Sequence, residues 1–116
     1  NAASAQIKFI GKRTIQVDGV KSLNSISYSV MGDRIEFGSM AVLAALTEGN
    51  LKIKGLNPKL ILKTEINLLK KTGCKIKTFD NGMYVKGVKK IKSINLITGE
   101  FPKLATDLQN IFMVFM

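Results

Sequence analysis

Asp107 is the carboxylate of this sequence best placed to do chemistry. It lies in FPKLATDLQNIFMVFM, residues 101–116. Thr106 and Gln109 have the T-x-x-Q spacing of a capping box, and Leu108, Ile111, Phe112 and Phe115 recur at helical intervals. The pattern predicts a helix with Asp107 at or near its first position, where free amides and the helix dipole favour the charged carboxylate. Two readings stand for it. It stabilises the helix start and nothing more, or it hydrogen-bonds a substrate hydroxyl and takes its proton. Asp33, Arg34 and Glu36 form a second charged cluster. Asp33 and Glu36 read as the N-cap and N3 of another capping box. Arg34 reads as the partner of a carboxylate, with a ligand contact as its other reading. Cys74 follows Gly73 at a predicted helix end and opens a strand, so it is expected to be a buried packing thiol and not a nucleophile.

What is missing narrows the chemistry. There is no histidine, which removes imidazole acid-base catalysis. No G-x-x-x-x-G-K-[ST] loop and no Cys/His zinc spacing occurs, so no metal site is expected.

The elements that must position these residues can be read from the apolar pattern. AQIKFI and RTIQVDGV predict two short strands, and SISYSV (25–30) a third. Gly32 breaks that run and Asp33 opens an apolar helix over 34–47, closed by Gly49. NLKIKGL (50–56) reads as a strand. Asn57-Pro58 starts a second helix with proline at its first position. It runs to about Thr72 with Leu62, Ile66 and Leu69 on one stripe, and Gly73 stops it. The opening pattern then returns: CKIKTFDNGMYVKGVKKIKSINL (74–96) lines up with residues 5–30, and SINLI answers SYSVM. Asn81-Gly82 is the strongest hairpin-turn signal in the chain. The chain is therefore expected to be an internal repeat of hairpin, strand and helix with a strand-helix insert, an α+β architecture of stacked units. Its second copy stops inside its final helix.

The 116 residues, 46% apolar, make one ordinary domain or part of a larger one. No run approaches the ~18 apolar residues of a membrane span, and residues 1–8 carry no secretory-leader pattern. One cysteine fits a reducing compartment. The net charge of +10 raises nucleic acid as a partner. The basic residues are nearly all lysines spread along the chain, however, and in sequence the few aromatics are not interleaved with them, as stacking platforms would be. Solvated strand and helix faces are the expected role of those lysines.

Three motifs carry a resemblance. NAAS at residues 1–4, GDRIEFGSMAVLAAL at 32–46 and FPKLATDLQNIF at 101–112 resemble the UDP-N-acetylglucosamine enolpyruvyl transferase family, in the family's order. The middle motif is similar to the family's P-D-R-I-E-x-G-T-F and the last to its F-P-T-D-M-Q. The resemblance implies an inside-out α/β barrel, partial here, built from repeated β-α-β-α-β-β units with helices inside and sheets outside. It implies that residues 1–31 end one domain and that 33–116 begin a second, truncated one. The implied activity is transfer of enolpyruvate from phosphoenolpyruvate to the 3-hydroxyl of UDP-N-acetylglucosamine, in the cytoplasm, for peptidoglycan synthesis.

Carried over by motif, Asp107 is the catalytic base and a substrate contact, Thr106 a substrate contact, and Arg34 a further binding candidate. No cofactor, nucleic acid or membrane is implied. The family's catalytic cysteine and its phosphoenolpyruvate-binding lysine and arginines fall outside this stretch. Two departures stand out: Gly32 and Ala105 occupy positions where the family has proline, which changes backbone rigidity before two helix starts. The family's E-P-E-I motif and a full helix are absent between Ser4 and Ala5, which should leave the first hairpin with an uncovered face. The isolated chain is expected to be inactive, to need the rest of the enzyme to fold fully, and to associate through exposed Phe112, Met113, Phe115 and Met116. Two other classes compete: an inactive fragment or degraded gene product of the enzyme, and a basic nucleic-acid-binding module.

Overall fold

The computed structural model describes residues 2–116 and divides into two compact units, Asn1–Val30 and Met31–Met116. In the first, the alternating segments pair as expected. Strand β1 (Gln6–Phe9) runs antiparallel to β2 (Ile15–Asp18), with Ile7 opposite Val17 and Phe9 opposite Ile15. Paired residues share a face, and all four of these apolar side chains are exposed, the uncovered face predicted for this hairpin. The expected third strand, residues 25–30, is not formed. Alternation shows that a segment can lie on a sheet, but a strand exists only where an edge offers free amides and carbonyls, and no edge takes up this one.

The second unit opens with helix α1 (Arg34–Leu46). Its cap is Asp33, in extended conformation, whose Oδ1 accepts from the Ile35 amide at 2.7 Å. Glu36 does not close the box. Its side chain lines a shallow pocket with Met40 and Lys54. Phe37, Ala41, Val42, Ala44 and Ala45 of α1 are buried. Strand β3 (Asn50–Lys54) follows. The single helix expected over 58–72 is two, α2 (Pro58–Ile61) and α3 (Lys63–Lys71), with Leu62 between them off the helical conformation. The kink keeps the bonds from Leu62 N to Pro58 O and from Ile66 N to Leu62 O, and it turns Leu62 fully into the core. Asn57 caps α2 with proline at its start, as predicted.

At the end of α3 the Cys74 amide donates to Leu69 O and the Gly73 amide to Lys70 O. This is the paired Schellman arrangement, and Gly73 supplies its left-handed residue at φ +103°. Cys74 is buried as expected, its Sγ 3.4 Å from the Thr72 hydroxyl.

Strands β4 (Lys75–Phe79) and β5 (Gly82–Lys86) complete a sheet of order β3-β5-β4. The hairpin forms, but its two loop residues are Asp80 and Asn81, with Gly82 paired opposite Phe79. The reason lies across the sheet: a Cβ on Gly82 would stand 2.1 Å from the Ile53 carbonyl oxygen, so this glycine serves close strand approach and not the turn. Both β3 and β4 run antiparallel to β5. They are thus parallel to each other and joined by the α2–α3 crossover.

The two sheet faces separate cleanly. Leu51, Val85 and Ile76 share one face with Ile53, Met83 and Thr78, and this face meets the core. The other face carries Lys52, Lys54, Lys75, Lys77 and Lys86 together with Tyr84, Phe79, Asn50 and Gly82, and no carboxylate. Phe79 and Tyr84 lie 5.2 Å apart, with the Lys52 ammonium over both rings. Lysines and aromatics that are separate in the sequence are therefore neighbours in the sheet.

The second copy's expected final strand (SINLI) is also missing; residues 87–104 are irregular apart from one bridge between Thr98 and Leu104. A 3-10 turn (Thr106–Leu108) leads into α4 (Gln109–Phe115). Phe112 and Phe115 were expected to be exposed, but both are buried and packed edge to face, because α4 lies against α1. Met113 and Met116 are exposed as expected.

Candidate functional site

Arg34 and Gly38 stand one turn apart on α1 and so share one stripe of it. Between them they seat the segment that carries Asp107. Arg34 Nη2 donates to the Lys103 carbonyl at 2.6 Å. Four residues on, Gly38 leaves the space that Leu108 fills; a Cβ there would meet Leu108 Cδ1 at 2.9 Å. Leu104 and Leu108 are both fully buried. The chain between them is pinned at each end, and the Leu108 amide closes the turn on Ala105 O at 3.1 Å.

Thr106 and Asp107 are carried outward by this turn, and both are exposed. The cap position belongs to Ala105, which has no side-chain oxygen, and Thr106 makes no capping bond. The capping box expected from Thr106 and Gln109 therefore does not form. A 3-10 turn replaces the first α-turn, and Gln109 begins the helix proper. That helix is seven residues long, so its dipole adds little at Asp107. No hydrogen bond or ion pair among the described residues engages the Asp107 carboxylate or the Thr106 hydroxyl. A solvated, unpartnered carboxylate on a pinned turn can accept a hydrogen bond from an incoming hydroxyl.

Arg34 has the carboxylate partner its sequence context predicts. Its Nε donates to Glu65 Oε1 at 2.9 Å, and its Nη2 lies 2.6 Å from the same oxygen in an ion pair. The Glu65 side chain is 1% exposed, and its other oxygen, Oε2, is buried without a partner. The Phe101 ring lies 5.2 Å from the guanidinium carbon. Beside this pair the Thr64 hydroxyl donates to the Pro102 carbonyl at 2.5 Å. Helix α3 thus grips residues 102 and 103 directly through Thr64 and indirectly through Glu65 and Arg34.

Sequence reasoning did not single out Glu65, although a signal was present. It falls between Leu62 and Ile66 on the apolar stripe of α3, where a charged residue must find a partner or pay for its burial. The structure brings Arg34, Glu65 and the Lys103 carbonyl together and sets Thr106 and Asp107 side by side. Asp33 and Glu36 lie outside this group, and so does Cys74. Among the described residues no cluster of three or more His, Cys, Asp or Glu side chains could hold a metal, and no helix is long and apolar enough to cross a membrane.

Residues 1–115 match the family described as EPSP synthase (3-phosphoshikimate 1-carboxyvinyltransferase). Over 110 residues the chain is 52% identical to the UDP-N-acetylglucosamine 1-carboxyvinyltransferase of Pelagibacter ubique, which covers 95% of this chain and 26% of that protein. It is 40% identical over 116 residues to the protein of the same name from Rickettsia bellii, covering 100% of this chain and 27% of the relative. With the one from Bartonella quintana it shares 38% identity over 119 residues, again covering 100% and 27%. The chain spans about a quarter of the length of the curated relatives it matches.

Proposed function

The chain belongs to the EPSP synthase (3-phosphoshikimate 1-carboxyvinyltransferase) family, and from that membership we propose that it is a segment of a transferase acting on UDP-N-acetylglucosamine. The donor is phosphoenolpyruvate and the product serves peptidoglycan synthesis. The observation that carries the choice of acceptor is the 52% identity, over 95% of the chain, to a relative named for that sugar nucleotide. On this reading residues 1–31 close one domain and residues 33–116 open the next. The mixed α/β unit is then part of an inside-out barrel, and the complete transferase works in the cytoplasm on soluble substrates, without a cofactor.

The chemistry assigned to this segment is the handling of one proton. Asp107 accepts the proton of the sugar 3-hydroxyl as that oxygen bonds to C2 of phosphoenolpyruvate, while the methylene carbon takes up a proton. The adduct then expels phosphate and loses a proton from its methyl group, which restores the vinyl carbon. Support for Asp107 in this role comes from its exposure, its lack of a protein partner and the rigidity of its turn. Thr106, beside it, offers a hydroxyl to the same substrate. Arg34 enters through Nη1, since its other two nitrogens are bound to Glu65 and the Lys103 carbonyl.

The test is phosphate release by the full-length protein with phosphoenolpyruvate and either UDP-N-acetylglucosamine or 3-phosphoshikimate as acceptor. Release with the sugar nucleotide alone is expected. Release with 3-phosphoshikimate alone, or with neither, would overturn the assignment.

A further inference from the structure

We propose that Glu65 and Arg34 form a clamp that positions Asp107, so that Glu65, which touches no substrate, sets the rate of the proton transfer. The inference rests on the role proposed for Asp107. The starting observation is the half-satisfied carboxylate of Glu65, with Oε1 held by Arg34 and Oε2 buried with no donor. Among the described residues Arg34 is the only cation paired with this carboxylate, and its departure would strand a charge in the core. The guanidinium is therefore fixed in place more firmly than an exposed ion pair would fix it. The same Nη2 that meets Glu65 also donates to Lys103 O, so the fixed position of Arg34 is passed to the backbone three residues before Thr106. Thr64 adds a second tether at Pro102. At the far end of the segment Leu108 is seated against Gly38. Among the described residues the Asp107 side chain makes no hydrogen bond or ion pair, so its place is set through the backbone that these anchors hold. Placement errors of about an ångström can cost on the order of a hundredfold in rate, which is why the clamp reaches kcat.

The test uses the full-length transferase with Glu65→Gln and, because the buried change can impair folding, Thr64→Val, which removes a tether without touching the ion pair. Glu65→Gln is expected to lower kcat about tenfold or more while leaving KM for the sugar nucleotide within about twofold, the split that marks loss of a transition-state interaction. Thr64→Val should act in the same direction, by roughly threefold. In both variants amide exchange should quicken over residues 101–108. In an Asp107→Ala background neither change should lower the residual rate further, since a positioning effect vanishes with the group it positions. Wild-type kcat with unchanged exchange in every folded variant would overturn the clamp, as would an equal further loss in the Asp107→Ala background. If the wild type releases no phosphate, the functional reading fails by itself. The clamp is then decided on exchange, retained if residues 101–108 quicken and overturned if they do not.

Discussion

In the proposed function a single exposed carboxylate carries the chemistry, and its surroundings separate activity from stability. Asp107 has no partner to lose among the described residues, so Asp107→Ala should change unfolding free energy by no more than about 0.5 kcal/mol, as for surface sites generally. Removing a general base should lower kcat by roughly 10²–10⁴-fold. Thermal melts and steady-state kinetics on the same full-length preparation check both halves, and unchanged turnover would remove the base role. Tyr84 offers an electrostatic prediction. Its phenol titrates below the usual range, chiefly because the Lys52 side chain hydrogen-bonds to it, with the charges of Lys52, Lys54 and Lys77 adding and burial opposing. A phenol whose folded pKa is lowered stabilises the fold only as phenolate. That contribution is complete above the unfolded value near pH 10 and fades as pH falls through the folded value. Replacing Lys52 by Met should move the Tyr84 titration upward in an ultraviolet pH titration. At this scale Asp33, Asn57, Gly73 and Cys74 were legible because each acts through local backbone geometry or burial pattern. Glu65 was not, since its partner lies 31 residues away, and Thr106 failed as a cap because Ala105 took that place.

At the scale of elements, the decisive contact is α1 with the Asp107 turn. Gly38→Ala sets two effects against each other: alanine gains about 1 kcal/mol of helix propensity, and the added methyl overpacks buried Leu108 at a cost of about 1–3 kcal/mol. A net loss of about 1 kcal/mol is expected by chemical denaturation, with Gly38→Val worse, and a stabilised Gly38→Ala would show that Leu108 yields freely. The helices and the paired strands were readable because hydrophobic period and turn chemistry agree there. The two missing strands, 25–30 and 93–97, show the limit of that reading. Alternation records which side chains can face a core, whereas strand formation needs a neighbour, and neighbours are a property of topology. The hairpin forms at its signal, but the loop sits one residue earlier for a related reason, since Gly82 answers to the Ile53 carbonyl on the far strand and not to the turn beside it.

For the molecule as a whole, the apolar surface is the expected one except at two phenylalanines. Phe112 and Phe115 are core residues, while Ile7, Phe9, Ile15 and Val17 of the first hairpin, with Met113 and Val114 of α4, are left in contact with solvent. Charge opposes the association expected of such surfaces. The outward face of the three-stranded sheet is wholly cationic in its charged groups, and the chain carries +10 overall, so approaching copies repel one another before their apolar patches meet. The reach of that repulsion is about 10 Å at 0.1 M salt and about 3 Å at 1 M. Light scattering should accordingly find the chain dispersed in dilute buffer and associating as salt is added, and salt-induced dispersal would contradict this. The lysine face thus behaves as a colloidal stabiliser, a soft coat whose thickness is set by the ions around it.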